Sequence, residues 1–208
     1  MRINLLKTAP DRAGRYWITL ENGEKMALYR QTVEDFALYS GKELTDAEWE
    51  TLQEQGGQMS AKMRAVRIVS ASSVSKRDLE DRLVRKGEDP DQAREAVRWM
   101  EEMHLVDDME TARQTVARCA AHGYGIQRAK QALYEKKIPK EYWEDALADY
   151  PDQAAYIESF LRSRLRDAAD RREIKRATDA LLRRGHSYGD VRRALNRMSL
   201  DAEDLPEE

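Results

Sequence analysis

The chain has 208 residues, 36% charged and 41% hydrophobic, with only 10 Gly and 5 Pro, the composition of a helical, water-loving protein. Nothing approaches the ~18 uninterrupted apolar residues of a membrane span, the N-terminal MRINLLK meets a charge at Lys7 before a signal-peptide core develops, and one cysteine excludes an intrachain disulfide. A cytoplasmic protein is expected, and a net charge of −3 argues against wholesale electrostatic capture of nucleic acid.

Residues 15–29, RYWITLENGEKMALY, alternate through Tyr16, Ile18 and Leu20, turn at Asn22-Gly23 and resume at Met26 and Leu28. Asn-Gly between alternating runs predicts a β-hairpin closed by a type I′ turn with two left-handed residues. Ile3, Leu5 and Leu6 offer a third strand, which an isolated hairpin needs for stability. A short helix over 32–39, burying Val33 and Phe36, is expected to stop at Ser40-Gly41. Thr45-Asp46-Ala47-Glu48 then spells a capping box for another helix, and Gln55-Gly56-Gly57 is expected to end this first segment, 1–57.

From residue 58 the sequence repeats itself. A shift of 50 superimposes Leu79, Leu83, Gly87, Ala93, Ala96, Val97 and Met100 on Ala129, Leu133, Lys137, Trp143, Ala146, Leu147 and Tyr150; a further shift of 48 gives Ala177, Leu181, Gly185, Val191, Ala194, Leu195 and Met198. Apolar character holds everywhere except at the turn. Asp89-Pro90, Pro139 and Ser187-x-x-Asp190 mark the start of each last helix, and a further helix precedes each pair near 59–71, 109–121 and 153–168. Gly87 and Gly185 stand where the middle helix ends in a left-handed residue, and Lys137 implies that the second copy turns differently. The expected fold is therefore mainly α: an elongated array of three tandem three-helix repeats (58–107, 108–151 and 152–200), preceded by the small hairpin/helix unit and followed by an acidic tail, 201–208. Trp99 and Trp143 read as core and junction residues.

Catalytic motifs are missing. There is no G-x-x-x-x-G-K-[ST] loop. Gly123-Tyr124-Gly125 lacks the third glycine of a dinucleotide site and reads as a turn, and Ser73-Val74-Ser75-Lys76 reads as a helix N-terminus. His104, His122 and His186 are scattered without zinc-ligand spacing. The expectation is a non-enzymatic protein with no cofactor and no metal, working through its surface.

The best charge signal lies at 160–198, where twelve basic and five acidic residues give +7. At 100° per residue Arg172, Arg176 and Arg183 share a face opposite Ile174, Ala177 and Leu181. Arg172, Lys175, Arg176, Arg183, Arg184, Arg192 and Arg193 are the candidate partner-binding residues. A smaller basic balance in the first repeat comes from Lys62, Arg64, Arg67, Lys76, Arg77, Arg82, Arg85 and Lys86.

Three segments, SKRDLEDRLVRKGEDPDQAREAVRWMEEMHLVDD (75–108), GYGIQRAKQALYEKKIP (123–139) and ALLRRGHSYGDVRRAL (180–195), together resemble the RecX family, regulators of the recombinase RecA. GRYWITLENGEKMALYRQTVEDF (14–36) is similar to the extension that precedes the repeats in some members. The resemblance implies a monomeric, non-catalytic protein that binds RecA and the RecA–single-stranded-DNA filament, lodges along its helical groove, and depresses filament growth, ATP hydrolysis, strand exchange and coprotease function. Weak direct DNA contact belongs to the same expectation; a membrane partner does not. Two other readings stand beside it. One is an autonomous DNA-binding protein, which the acidic helix starts in GEDPDQAREAV and IPKEYWEDAL disfavour as base readers; the other is a helical scaffold for an unrelated partner.

Overall fold

The computed structural model describes residues 1–165 and 170–198. The chain divides into two compact units, Met1–Asp107 and the part from Asp108 onward. Among the described residues there are ten α-helices and one small sheet, so the chain is mainly helical as expected. The acidic tail, with Asp201, Glu203, Asp204, Glu207 and Glu208, lies outside the described residues, as do Arg166 and Asp167.

In the first unit, strands β1 (Ile3–Leu6), β2 (Arg15–Leu20) and β3 (Lys25–Tyr29) form an antiparallel sheet in that order. Ile3, Ile18, Leu20 and Leu28 point into a core completed by Leu38, Leu44 and Leu52. The hairpin is where the alternation places it, but its turn differs from the expected type I′. Gly23 is left-handed (φ +84°) and Asn22 is not. The Gly23 amide donates to Leu20 O (3.0 Å) and the Leu20 amide to Glu24 O (2.9 Å). This is a three-residue loop with one left-handed glycine, and the Asn22 side chain occupies itself accepting from the Glu24 amide at 3.0 Å.

Helix α1 (Arg30–Asp35) presses Val33 and Phe36 against the sheet core and ends at Ala37 (φ +44°), earlier than Ser40-Gly41. Helix α2 (Asp46–Ala71) begins with the expected capping box: Thr45 Oγ1 accepts from the Glu48 amide, and the Glu48 carboxylate accepts from the Thr45 amide at 2.8 Å. The break expected at Gly56-Gly57 is absent, and α2 runs unbroken for 26 residues. The glycines serve packing instead. A Cβ on Gly56 would lie 2.7 Å from Leu28 Cδ2 and 2.9 Å from Met26 Cε, and one on Gly57 would meet the Gln92 side chain. Helix propensity is sacrificed, by about 1 kcal/mol per glycine; Gly56 lets β3 approach the helix, and the space at Gly57 is taken by the flexible end of Gln92. Leu52 of α2 belongs to the sheet core, while Ala61 and Ala65 join α3 (Lys76–Arg85) and α4 (Pro90–Glu102) around Leu79, Leu83, Ala93, Ala96 and Met100.

The second unit holds α5 (Asp108–Ala121), α6 (Ile126–Glu135), a 3₁₀ turn (Lys140–Tyr142), α7 (Trp143–Leu147), α8 (Ala154–Arg164), α9 (Arg171–Arg183) and α10 (Tyr188–Arg197). One core gathers Ala112, Val116, Leu133 and Ile138; another gathers Ile157, Leu161, Ile174, Ala177, Leu181, Val191, Ala194 and Leu195. The middle copy is not a full equivalent. Its last helix shrinks to five residues behind the 3₁₀ turn, and aromatic bulk does part of the filling: Trp143 Nε1 donates to Ile138 O (3.0 Å) and Tyr150 Oη to Tyr124 O (2.7 Å).

The three middle helices nevertheless end identically. Gly87, Lys137 and Gly185 are all left-handed, at φ +90°, +56° and +86°. In each, the next amide bonds back to the buried leucine carbonyl: Glu88 to Leu83 (3.1 Å), Ile138 to Leu133 (3.1 Å), His186 to Leu181 (3.2 Å). The expectation that Lys137 turns differently is corrected: the lysine adopts the glycine conformation and bears its steric cost.

Candidate functional site

The α8–α9 face of the third repeat carries a groove of about 410 Å³, with Phe160, Ala177 and Ala180 as its floor. Arg164 comes from α8, and Arg176 and Arg183 from α9; Glu173 is the one carboxylate in the lining. The floor exists because α9 buries Ile174, Ala177, Thr178 and Leu181 along one stripe, leaving Arg172, Lys175, Arg176 and Arg183 on exposed positions. Among the described residues neither Arg176 nor Arg183 is paired with a carboxylate in the ion pairs of this unit. The Arg164 guanidinium lies 5.5 Å from the Phe160 ring centre. Three guanidiniums over an apolar floor can receive a carboxylate or a phosphate beside a hydrophobic group.

Of the residues nominated from the sequence, Arg176 and Arg183 meet in this groove, while Arg172 and Lys175 are exposed on the same helix outside its lining. Arg192 and Arg193 are exposed on α10, where Arg193 pairs with Asp190. Arg184 is half-buried. Its guanidinium stacks over Tyr124, Tyr156 and Phe160 at 5.5–5.8 Å and donates to Tyr156 Oη at 3.1 Å. Sequence reasoning counted Arg164 without nominating it and overlooked Phe160, because both reach the groove only through the packing of α8 on α9.

A joint behind the groove ties the two repeats of this unit. The Gly125 amide donates to Arg184 O (2.9 Å) and the Gln127 amide to Gly185 O (3.2 Å). A Cβ on Gly125 would stand 2.0 Å from Gly185 O, which is why α6 starts at a glycine without a side-chain cap. The Gly-Tyr-Gly stretch is thus a turn, as read, and also a contact surface. His186 is buried there, stacked on Tyr156 and hydrogen-bonded through Nε2 to Gly123 O (3.1 Å); burial pushes its pKa down. Burial likewise raises the Cys119 thiol, so it is protonated at neutral pH, and pushes Tyr150 up to about 12.

Cations of the first repeat are largely engaged within their own unit. Arg64 pairs with Glu88 (2.6 Å), Lys76 with Glu101 (2.8 Å) and Arg82 with Asp78 (2.8 Å). Lys62 lies over Trp99, and Arg67 lies over Tyr29. No helix among the described residues is long and apolar enough to cross a membrane, and no group of three or more His, Cys, Asp or Glu among them is placed to hold a metal.

The fold is that of a mainly helical protein, with a basic groove on its third repeat. No family model matches the chain. Curated relatives do: the regulatory protein RecX of Vibrio parahaemolyticus is 24% identical over 145 residues, covering 68% of this chain and 94% of the relative. Regulatory protein RecX of Clostridioides difficile is 22% identical over 179 residues (83% and 84%), and that of Cronobacter sakazakii 30% over 96 residues (41% and 58%). A crystal structure of regulatory protein RecX shares the fold with a TM-score of 0.64 at 21% identity, covering 94% of this chain and 98% of that one. RecX from Lactobacillus salivarius matches with a TM-score of 0.59 at 20% identity, covering 69% and 97%. The chain is thus similar in sequence to curated proteins named regulatory protein RecX and shares the fold of RecX crystal structures.

Proposed function

We propose that this chain is a non-catalytic regulator that binds RecA and the RecA–single-stranded-DNA filament and restrains filament growth, ATP hydrolysis, strand exchange and coprotease activity. It acts as a monomer in the cytoplasm, within DNA repair, homologous recombination and the SOS response. The observation that carries the reading is the Arg164–Arg176–Arg183 groove on the third repeat of a chain whose curated relatives are named RecX. Its guanidiniums suit acidic side chains of a protein partner and phosphates of the filament's DNA alike, which accommodates weak direct DNA contact. The remaining nominated cations, Arg172, Lys175, Arg192 and Arg193, extend the basic face. The division into an N-terminal segment (1–57), three repeats (58–107, 108–151 and 152–200) and an acidic tail (201–208) belongs to the same reading, as the repeats supply several contact sites. Duplex reading is disfavoured because the first turns of α4 and α7 carry Asp91 and Glu144-Asp145, which would face phosphates.

Co-sedimentation with RecA, with and without single-stranded DNA and a slowly hydrolysed ATP analogue, tests the reading. Association with the filament and inhibition of RecA's DNA-dependent ATPase are expected, weakened by Arg176→Glu with Arg183→Glu. Absence of association under every condition refutes it.

A further inference from the structure

Each middle helix carries, directly after its buried leucine, a side chain that folding leaves outside. Leu83, Leu133 and Leu181 are fully buried; Val84, Tyr134 and Leu182 are 39%, 67% and 37% exposed. Helix geometry accounts for the exposure, since one residue's 100° rotation carries the side chain off the core stripe. It does not account for the residue type. A single exposed apolar residue is ordinary, but here three copies that differ at most surface positions all keep an apolar side chain at one repeat position. The turn that follows makes no use of it, because its closing bonds run from backbone to backbone. Two cations follow directly in the first and third copies, Arg85-Lys86 and Arg183-Arg184, the Arg184 guanidinium being drawn inward over aromatic rings. In the second, Glu135, paired with Arg128, intervenes before Lys136 and Lys137.

We propose that Val84, Tyr134 and Leu182 are equivalent docking points, each entering an apolar hollow rimmed by carboxylates on a partner that presents the same surface repeatedly. The proposal rests on the RecA-filament reading, which supplies identical subunits in series. Charge complementarity selects the occupant: the cations beside each point favour an acidic rim and would repel the same face of a second copy. Repetition sets the energetics. Covering one partly exposed Val, Leu or Tyr is worth about three- to tenfold in affinity, and linked points reinforce one another by raising effective concentration.

The test is a binding titration of fluorescently labelled protein against RecA–single-stranded-DNA filaments held by a slowly hydrolysed ATP analogue. Val84→Ser, Tyr134→Ser, Leu182→Ser, their triple combination and Leu105→Ser are compared with the unsubstituted chain. Leu105 is the control because it is 49% exposed yet has Ala155 at the equivalent place in the next copy. Each single substitution should weaken binding about three- to tenfold and the triple about 30-fold or more, with thermal unfolding unchanged and Leu105→Ser within about twofold of the parent. Unchanged affinity in the triple variant, while the parent binds, overturns the docking points and leaves the RecA reading standing. A loss with Leu105→Ser equal to the others overturns the special role of the repeat position. A parent chain that binds no RecA in any nucleotide state overturns the RecA reading and the proposal with it.

Discussion

The three left-handed helix ends offer a quantitative test of the structure, because one backbone conformation occurs in three different surroundings. A Cβ on Gly87 would meet nothing within 4 Å, so Gly87→Ala adds only the left-handed penalty. That penalty is about 1–2 kcal/mol, partly offset by about 0.5–1 kcal/mol of backbone entropy that glycine loses on folding. The net cost is about 1 kcal/mol, or about 2–4 °C in Tm for a chain of this size. At Gly185 the same Cβ would stand 2.4 Å from Arg128 N and 2.6 Å from Arg128 Cβ. Backbone cannot swing aside, so Gly185→Ala adds an overpacking cost of about 1–3 kcal/mol and should lower Tm by roughly two to four times as much. Lys137 already pays, and Lys137→Gly should exceed Lys137→Ala in stability by about 1 kcal/mol, a pair in which the lost lysine side chain cancels. Circular-dichroism melts and urea titrations of the four variants measure these differences. Equal losses for Gly87→Ala and Gly185→Ala would refute the close approach at Arg128; equal stability of Lys137→Gly and Lys137→Ala would refute the left-handed turn in the middle repeat.

Gly57→Ala should be stabilising by up to about 1 kcal/mol, because helix propensity improves and the obstructing atoms are the movable end of Gln92, whereas Gly56→Val should cost about 2 kcal/mol or more by driving into Leu28 and Met26; denaturant titration separates them. Thr178 Oγ1 is buried with no hydrogen-bond partner among the described residues, so the near-isosteric Thr178→Val should raise stability by about 1 kcal/mol, visible as a higher Tm. Burial lowers the pKa of His186, with Asp190 and Arg184 as its charged neighbours; the unfolded chain therefore binds the proton more readily, and the stability His186 contributes is complete above its ordinary value near 6.5 and is lost as pH falls from there through the lowered folded value. Melts between pH 8 and pH 5 should show this decline, and a His186→Gln chain with the same slope as the parent would contradict it.

Elements governed by local chemistry were legible in the sequence. Thr45 with Glu48, Asp89 before Pro90 and Ser187 with Asp190 all cap the helices they were expected to cap, and Ser75 caps the helix whose start was read at 73–76, since a cap is decided within four residues. The buried positions of the repeats followed from periodicity for the same reason, and those of the first and third copies fall in their cores as aligned. Glycine was the ambiguous residue. Gly87 and Gly185 answer to a left-handed turn, but Gly56, Gly57 and Gly125 answer to neighbours brought close only by folding, and nothing adjacent in the chain distinguishes the two uses. Lys137 shows the converse: a turn strong enough to impose the left-handed conformation on a residue whose type argues against it.

The candidate site divides along the same line. Arg176 and Arg183 were visible because they share a helix with the core stripe that defines their face. Arg184, one residue further, sits 100° around the helix at the edge of that stripe, where Tyr124, Tyr156 and Phe160 from other helices draw it inward. Charge counting cannot register such commitments. In the first repeat Arg64, Lys76 and Arg82 look as basic on paper as any residue of the third, yet Glu88, Glu101 and Asp78 hold them within the unit. In the third, Arg197 and Arg193 are held by Glu158 and Asp190, while Arg164, Arg176 and Arg183 converge on a groove with a single carboxylate. What a partner would meet is therefore the charge left over after internal pairing, and that remainder is set by which helices pack together, so a net +7 between 160 and 198 points to the repeat but not to the three guanidiniums within it.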